Sequence, residues 1–388
     1  MEIIVGKYAS ATVYTVNNPA WQLDNYARSQ IRTLCNNPIF KGSRIRVMPD
    51  VHAGKVSPIG FTATLGERVM PVLTGVDIGC GISVARIVKG KPDWLRLDRV
   101  IRENVPSGFA VRTKPSVYAG DWSSADLICA RHIQKERAEL SLGTLGGGNH
   151  FIEVAADESG MYLAVHSGSR RLGEEITWHY MNEGQKALEA QGITEPFETT
   201  WITGELRDSW LHDIALAQRF AALNRRIIIQ EIIRGMKWKA EEIVSSCHNY
   251  VDTSEAVLAE LGAPLLRKGA SSARDGETVF IPVSMKEGIL MGAGLGNPEW
   301  NYSAPHGSGR ILPRSEVKQH CTVSAFKKEM AGIYSSCISS ATLDEAPAAY
   351  RSLESIREAV TETVRIERVL SPLYSFKAGN VMKEKSSC

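Results

Sequence analysis

An α+β fold, with its working residues in loops at strand ends, is what this sequence predicts. Short β-branched runs and longer amphipathic stretches follow one another without a regular strand–helix–strand alternation. Glycine-rich turns bearing Asp, Cys and His stand at the ends of the apolar runs, where a rigid scaffold would hold functional loops.

Taken in order, Trp21 to Leu34 reads as an amphipathic helix, entered after Asn17-Asn18-Pro19 and closed by Asn36-Asn37-Pro38. Arg44 to Met48 alternates as a strand and runs into the turn Pro49-Asp50-Val51-His52-Ala53-Gly54. Ile82 to Val88 is a β-branched strand leaving the turn Gly75-Val76-Asp77-Ile78-Gly79-Cys80-Gly81. Leu127 to Leu140 has a charged helical pattern and ends before Gly143-Thr144-Leu145-Gly146-Gly147-Gly148. Tyr162 to Val165 is a short strand with His166 at its exit. Ser209 to Met236 has the longest helical pattern, capped by Asp208-Ser209 and stopping near Gly235. Thr278 to Val283 is another strand, followed by a Gly-, Pro- and Asn-rich stretch up to Arg310. Arg351 to Leu370 reads as a final helix before Pro372.

A chain of 388 residues could form one large domain or two ordinary ones. The net charge of +2 excludes bulk attraction to nucleic acid, so a polyanion would need a local basic patch. No apolar run is long enough for a membrane span, and the N-terminus lacks a signal-like pattern. Seven cysteines without a regular framework read as reduced thiols, which predicts a cytoplasmic protein.

The Asp77/Cys80 turn pairs a carboxylate with a thiol between glycines, half of a metal site or equally a tight hairpin with a buried cysteine. Gly146-Gly147-Gly148-Asn149-His150 offers backbone N–H groups to an anion beside an imidazole. Val165-His166-Ser167-Gly168-Ser169-Arg170 suits an oxyanion pocket, although His166 alone reads as a satisfied strand-end histidine. His248 alone reads as structural too, and Cys247 as packing. Pro305-His306-Gly307-Ser308-Gly309-Arg310 is the stronger signal: a histidine with a rigid approach and an open front suits a nucleophile, and Arg310 could meet a phosphate bidentately. His132, His179, His212 and His320 lie in helical or charged surroundings and carry no predicted role. Together these residues are enough for two metals bridged by a thiolate and handling a phosphate. Walker A and Lys-x-Asp-Gly signatures are both absent.

At this point the chain resembles the RtcB family of RNA ligases over most of its length. The motifs that carry the resemblance are Pro49–Gly54, Val76–Gly81, Gly148–Glu153, His166–Arg170, Asn224-Arg225, Cys247–Tyr250, Arg267–Ala270, Pro282–Met285, His306–Arg310, Asp344–Pro347 and Lys377. The resemblance implies a single ligase domain over 1–388. It implies joining of an RNA 2′,3′-cyclic phosphate or 3′-phosphate end to a 5′-hydroxyl end, in RNA repair or tRNA splicing, with GTP and two manganese ions. By residue, it implies Asp77, Cys80 and His150 around one metal and Cys80, His166 and His248 around the other. His306 would carry GMP as a phosphoramidate, with Asn149, Glu153, Ser284, Gly307, Gly309, Arg310, Tyr350 and Lys377 around the guanylate. His52, Arg170, Asn224 and Arg225 would meet the RNA. A release-factor-like protein is an expected partner of compact members. Thiolate and imidazole ligands by softness suit zinc, so manganese rests on the resemblance. Ile82, Ser308, Arg171 and Ala304-Pro305 depart from the usual family residues, and none removes a ligand or the nucleophile. Two other readings remain open: a dinuclear phosphoesterase that opens cyclic phosphates without ligating, and an inert RNA-binding scaffold.

Overall fold

The computed structural model describes residues 1–15, 23–120 and 122–378. Asn17-Asn18-Pro19, Trp21 and Cys388 lie outside them. The architecture is α+β, built on two larger sheets and a two-stranded ribbon. The first sheet has six strands in the order Glu2–Val5, Ser10–Val13, Ile45–His52, Ile59–Thr64, Leu265–Lys268 and Asn249–Asp252. The second runs Thr278–Ser284, Gly288–Gly294, Val364–Lys377, Phe151–Asp157, Gly160–Ser167, Gly81–Lys89 and Lys239–Ala240, and Val244–Cys247 also pairs with Gly81–Lys89. Its pairings are antiparallel, which needs no helical crossover between neighbours.

The long helix Gly204–Met236 lies between the two sheets' cores. Trp210, Ile214, Ala217 and Phe220 pack into the cluster under the six-stranded sheet, while Ile228, Ile229 and Ile232 pack under the other. It starts after Thr203, one turn earlier than Asp208-Ser209 suggests, and ends at Lys237 in the left-handed region. The turn Gly75–Cys80 presses on this helix. A Cβ on Gly79 would stand 2.7 Å from the Cβ of Ala221 and 2.9 Å from the Cα of Gln218, and its φ of +72° also favours glycine.

Three elements correct the sequence reading. The helix expected from Trp21 begins at Asn25, capped by Asp24, and runs to Cys35. Leu127 to Leu140 is α-helical only towards its end, in Lys135–Ser141, after a single 3-10 turn at Ala130–His132. The buried carboxylate of Asp213 accepts the backbone N–H groups of Ile128 and Cys129 at 2.8 and 2.9 Å, which holds that backbone off a helical path. Arg351 to Leu370 is not one helix. A short helix, Leu353–Ala359, is followed by the strand Val364–Lys377, which carries Lys377 into the site. Pro372 is tolerated there because the register shifts between Pro372 and Tyr374, sparing the sheet a ladder N–H.

Candidate metal centre and nucleotide cavity

The strands Gly81–Lys89 and Gly160–Ser167 pair with Gly81 opposite Ser167 and Ile82 opposite His166, while Gly81 also faces Cys247. This register brings Cys80, His166 and His248 to one end of the sheet. Cys80 Sγ lies 3.2 Å from His166 Nε2 and 3.6 Å from His150 Nε2. His166 Nε2 and His248 Nε2 are 3.2 Å apart, and His150 Nε2 lies 2.8 Å from Asp77 Oδ2.

Among the described residues, two groups of three donors converge within 4.8 Å: Cys80, His166 and His248, and Asp77, Cys80 and His150. Cys80 belongs to both. The Nδ1 atoms of His150 and His166 are hydrogen-bonded to the carbonyls of Leu145 (2.8 Å) and Asn149 (3.1 Å). Bonded so, each ring presents Nε2 inward, the arrangement that orients metal-ligating histidines. Gly168 is confined by the same cluster, since a Cβ there would fall 2.2 Å from Asp77 Oδ1.

Electrostatics fit a cation at this place. Burial raises the Asp77 carboxyl, but the charge and hydrogen bond of His150 outweigh it and bring the group to about 2. Burial, and after it the Asp77 charge, keeps Cys80 protonated, and burial with the neighbouring histidines drives His166 and His248 well below their usual range and therefore neutral. The buried Asp77 Oδ1 has no protein partner. A carboxylate with a free oxygen, neutral imidazoles and a shared thiol form a donor set that two divalent cations would satisfy, the thiol losing its proton on binding. The residues present fit the group.

Beside the centre opens a cavity of about 340 Å³. His52, Asn149, Glu153, Ser284, His306, Gly307, Gly309, Arg310, Tyr350 and Lys377 all line it. The His306 ring centroid lies 4.9 Å from that of His248 and 6.4 Å from that of His52. Asp50, fully buried, brings Oδ2 to 2.7 Å from His306 Nδ1, a contact lying off the direction of a full hydrogen bond. His306 Nε2 is thereby the nitrogen left for chemistry. Burial lowers His52 to about 4, so it stays neutral.

At the opposite wall Glu345 gathers the cations. It pairs with Lys377, with Arg314 at 2.6 Å and with Arg310 at 3.5 Å, and it accepts the Tyr350 hydroxyl at 2.7 Å. Burial raises this carboxyl, but Lys377 and Arg314 outweigh that and bring it to about 2. Glu153 is different: burial pushes it up to about 8 against the pull of Lys377, and its Oε1 is unpartnered. A second cleft, about 430 Å³, opens on the far side of the metal centre, lined by Asp77, Arg137, Asn149, His150 and Arg170 among others. Asn149 borders both.

Several expected roles change. Asn224 and Arg225 do not face solvent. Asn224 accepts the N–H groups of Gly143 and Thr144 at 2.7 and 3.0 Å, and Arg225 donates to Gly79 O, Ser167 O and Ser83 Oγ at 2.8–2.9 Å. Their bonds hold the segments that carry the candidate ligands, and their burial leaves no polar face for a strand to meet in this conformation. Arg310 is not a free fork either, because Nε donates to Leu312 O and Nη1 to Tyr350. Arg170 sits with φ +58° at the start of the helix Arg170–Glu189, and it donates to Thr144 Oγ1 and Gly108 O. Left-handed backbone at a non-glycine residue is a strain that gathers at functional sites. The Cys247 thiol donates weakly to Cys80 O at 3.5 Å. Asp50, Glu345 and Arg314 escaped sequence reasoning as site residues, although Asp50 and Glu345 stand within quoted motifs.

The sequence model of the family described as "tRNA-splicing ligase RtcB" matches residues 30–119 and 97–378. The chain is similar to the RNA-splicing ligase RtcB of Escherichia coli strain K12, 31% identical, with 94% of this chain and 96% of that protein covered. It is also similar to the tRNA-splicing ligase RtcB of Aeropyrum pernix, 28% identical over 84% and 85% of the two chains. That of Thermococcus kodakarensis is 26% identical over 81% and 83%. With the family match spanning most of its length and these likenesses running nearly end to end, this chain belongs to the RtcB family.

Proposed function

We propose that the chain is an RNA ligase that joins a 2′,3′-cyclic phosphate or 3′-phosphate end to a 5′-hydroxyl end, using GTP and two manganese ions, with residues 1–388 as one ligase unit. The observation that carries this is the pair of donor triads sharing Cys80, with His306 beside His248 at the wall of a nucleotide-sized cavity. Asp77, Cys80 and His150 would hold one ion and Cys80, His166 and His248 the other. Bound there, the ions would neutralise charge on phosphoryl oxygens.

His306 would attack the α-phosphate of GTP through Nε2. Through its nearby charge Asp50 would favour the proton on Nδ1 and stabilise the imidazolium that forms, the part an aspartate plays behind a catalytic histidine. Pyrophosphate leaves and the phosphoramidate P–N bond forms. Ionised Glu153 would accept the guanine N–H donors, while Lys377, Arg310 and Tyr350 close the cavity. A 2′,3′-cyclic end would first add water and break its 2′-O–P bond to give the 3′-phosphate, which then takes the GMP from His306, restoring the imidazole. The 5′-hydroxyl attacks the activated phosphate, and GMP departs. That strand is expected from the far side, where Arg170 and Arg137 flank the second cleft. His52, neutral beside His306, would sit against the RNA end.

The test is incubation with α-labelled GTP and manganese. An acid-labile adduct on His306 is expected, and label on His306→Ala would overturn the nucleophile assignment. Product analysis with and without GTP separates ligation from the phosphoesterase reading, which needs the same ligands and no nucleotide.

A further inference from the structure

The second cleft holds an aromatic ring that the ligation chemistry above does not use. Phe109 is 68% exposed and lines the cleft with Val76, itself 46% exposed. Its ring has no aromatic or cationic partner among the described residues, unlike Phe151, which has both. The segment under it is not loose. Gly108 turns with φ +64°, its N–H donates to Gly146 O at 2.9 Å, and Ala110 N–H returns to Ser107 O. Arg170 Nη2 donates to Gly108 O at 2.7 Å and Arg137 Nη2 to Phe109 O at 3.1 Å. Two of the cleft's three arginines, Arg137 and Arg170, therefore clamp the carbonyls of Gly108 and Phe109 and fix the backbone that carries the ring.

An exposed apolar ring on a backbone pinned by two guanidinium groups, beside the turn that carries Asp77, costs hydration and returns no packing. A nucleobase would repay both, because every base has a π-face and the adjacent cations suit its phosphates. We propose that Phe109 is the stacking platform for the first base of the RNA strand that supplies the 5′-hydroxyl. The inference rests on the ligase reading, in which the guanylate fills the cavity of His306 and leaves the far cleft to the incoming strand. The contact is sequence-tolerant, so it sets affinity for any 5′-terminal base, with purines favoured by their larger area.

The experiment uses the full chain and the variants Phe109→Ala and Phe109→Tyr. Ligation rates are measured against the concentration of 5′-hydroxyl RNA, with either an ordinary or an abasic first nucleotide. Phe109→Ala should raise KM for the ordinary strand roughly 5- to 100-fold, the range of one base–aromatic stack. Phe109→Tyr should stay near the parent, the abasic strand should erase the difference, and labelling of His306 by GTP should not change. In parallel, a 5′-hydroxyl strand with 2-aminopurine as its first base, without GTP, should be quenched by the parent and not by Phe109→Ala. An unchanged KM together with unchanged quenching would overturn the proposal, as would an equal loss on the abasic strand. Absence of the His306 adduct in the parent would instead count against the ligase reading, and the quenching arm then decides the stacking by itself.

Discussion

Asp50 Oδ2 stands 2.7 Å from Nδ1 of His306, and the carboxylate is wholly buried while the imidazole faces the cavity. A buried acid behind a cavity-facing imidazole sets which nitrogen carries the proton and which can attack. Asp50→Asn keeps the shape and removes the charge. Guanylylation of His306 should fall by roughly 10²–10⁴-fold, with unchanged thermal unfolding and unchanged metal content. A rate near that of the parent would remove Asp50 from the mechanism.

Cys80 is common to both donor triads, whereas His248 belongs to one. Metal analysis of protein dialysed against manganese should therefore give near-zero occupancy for Cys80→Ala and loss of about one of two ions for His248→Ala. Equal losses in the two variants would argue against a shared thiolate.

The pH dependence of GTP binding should report Glu153. Its pKa is raised to about 8, so in the free protein the carboxyl is protonated below that pH and ionised above it. Guanine N–H groups need the ionised form, so binding releases a proton. Affinity should rise about ten-fold per pH unit from pH 6 towards 8 and level off above. Calorimetry in buffers of different ionisation enthalpy measures the released proton, and Glu153→Gln should flatten the profile.

Arg225 tests a positioning role. It is 1% exposed, and it donates to the carbonyls of Gly79 and Ser167, in the turn before Cys80 and at the strand end beside His166. Arg225→Met should destabilise the fold by roughly 3–5 kcal/mol, because buried acceptors lose a charged donor. Denaturant unfolding checks it. If the variant unfolds like the parent yet binds RNA more weakly, the assignment reverts to substrate contact.

Much of the candidate site was legible because its candidate ligands are chemically loud and most sit in or beside glycine turns. Asp77-Ile78-Gly79-Cys80 and Asn149-His150 need residue types that a core would not choose, and the family motifs fall on them. Asp50 and Glu345 were quieter. A carboxylate next to Pro49 or Ala346 reads as a turn residue until the chain folds Lys377, Arg314 and Tyr350 around one and His306 against the other. Arg225 and Asn224 were ambiguous for the opposite reason. Polar residues on a helix look available, and only the packing of the glycine turns against them shows that their hydrogen bonds are spent inside.

The α+β class, the strand-end position of the reactive residues and the membership of Cys80 and His306 in motifs follow from sequence alone, since residue type and spacing carry that information. Tertiary structure decided the rest. Val364–Lys377 became a strand because a sheet neighbour on each side offered ladder hydrogen bonds that an isolated segment lacks, and that choice delivers Lys377 to Glu345. Whether His248 is a strand-end histidine or a metal ligand depends on a register set 168 residues earlier at Cys80, by the Cys80 O···H–N His248 bond. Proximity between residues so far apart along the chain is a property of the fold, and local pattern does not contain it.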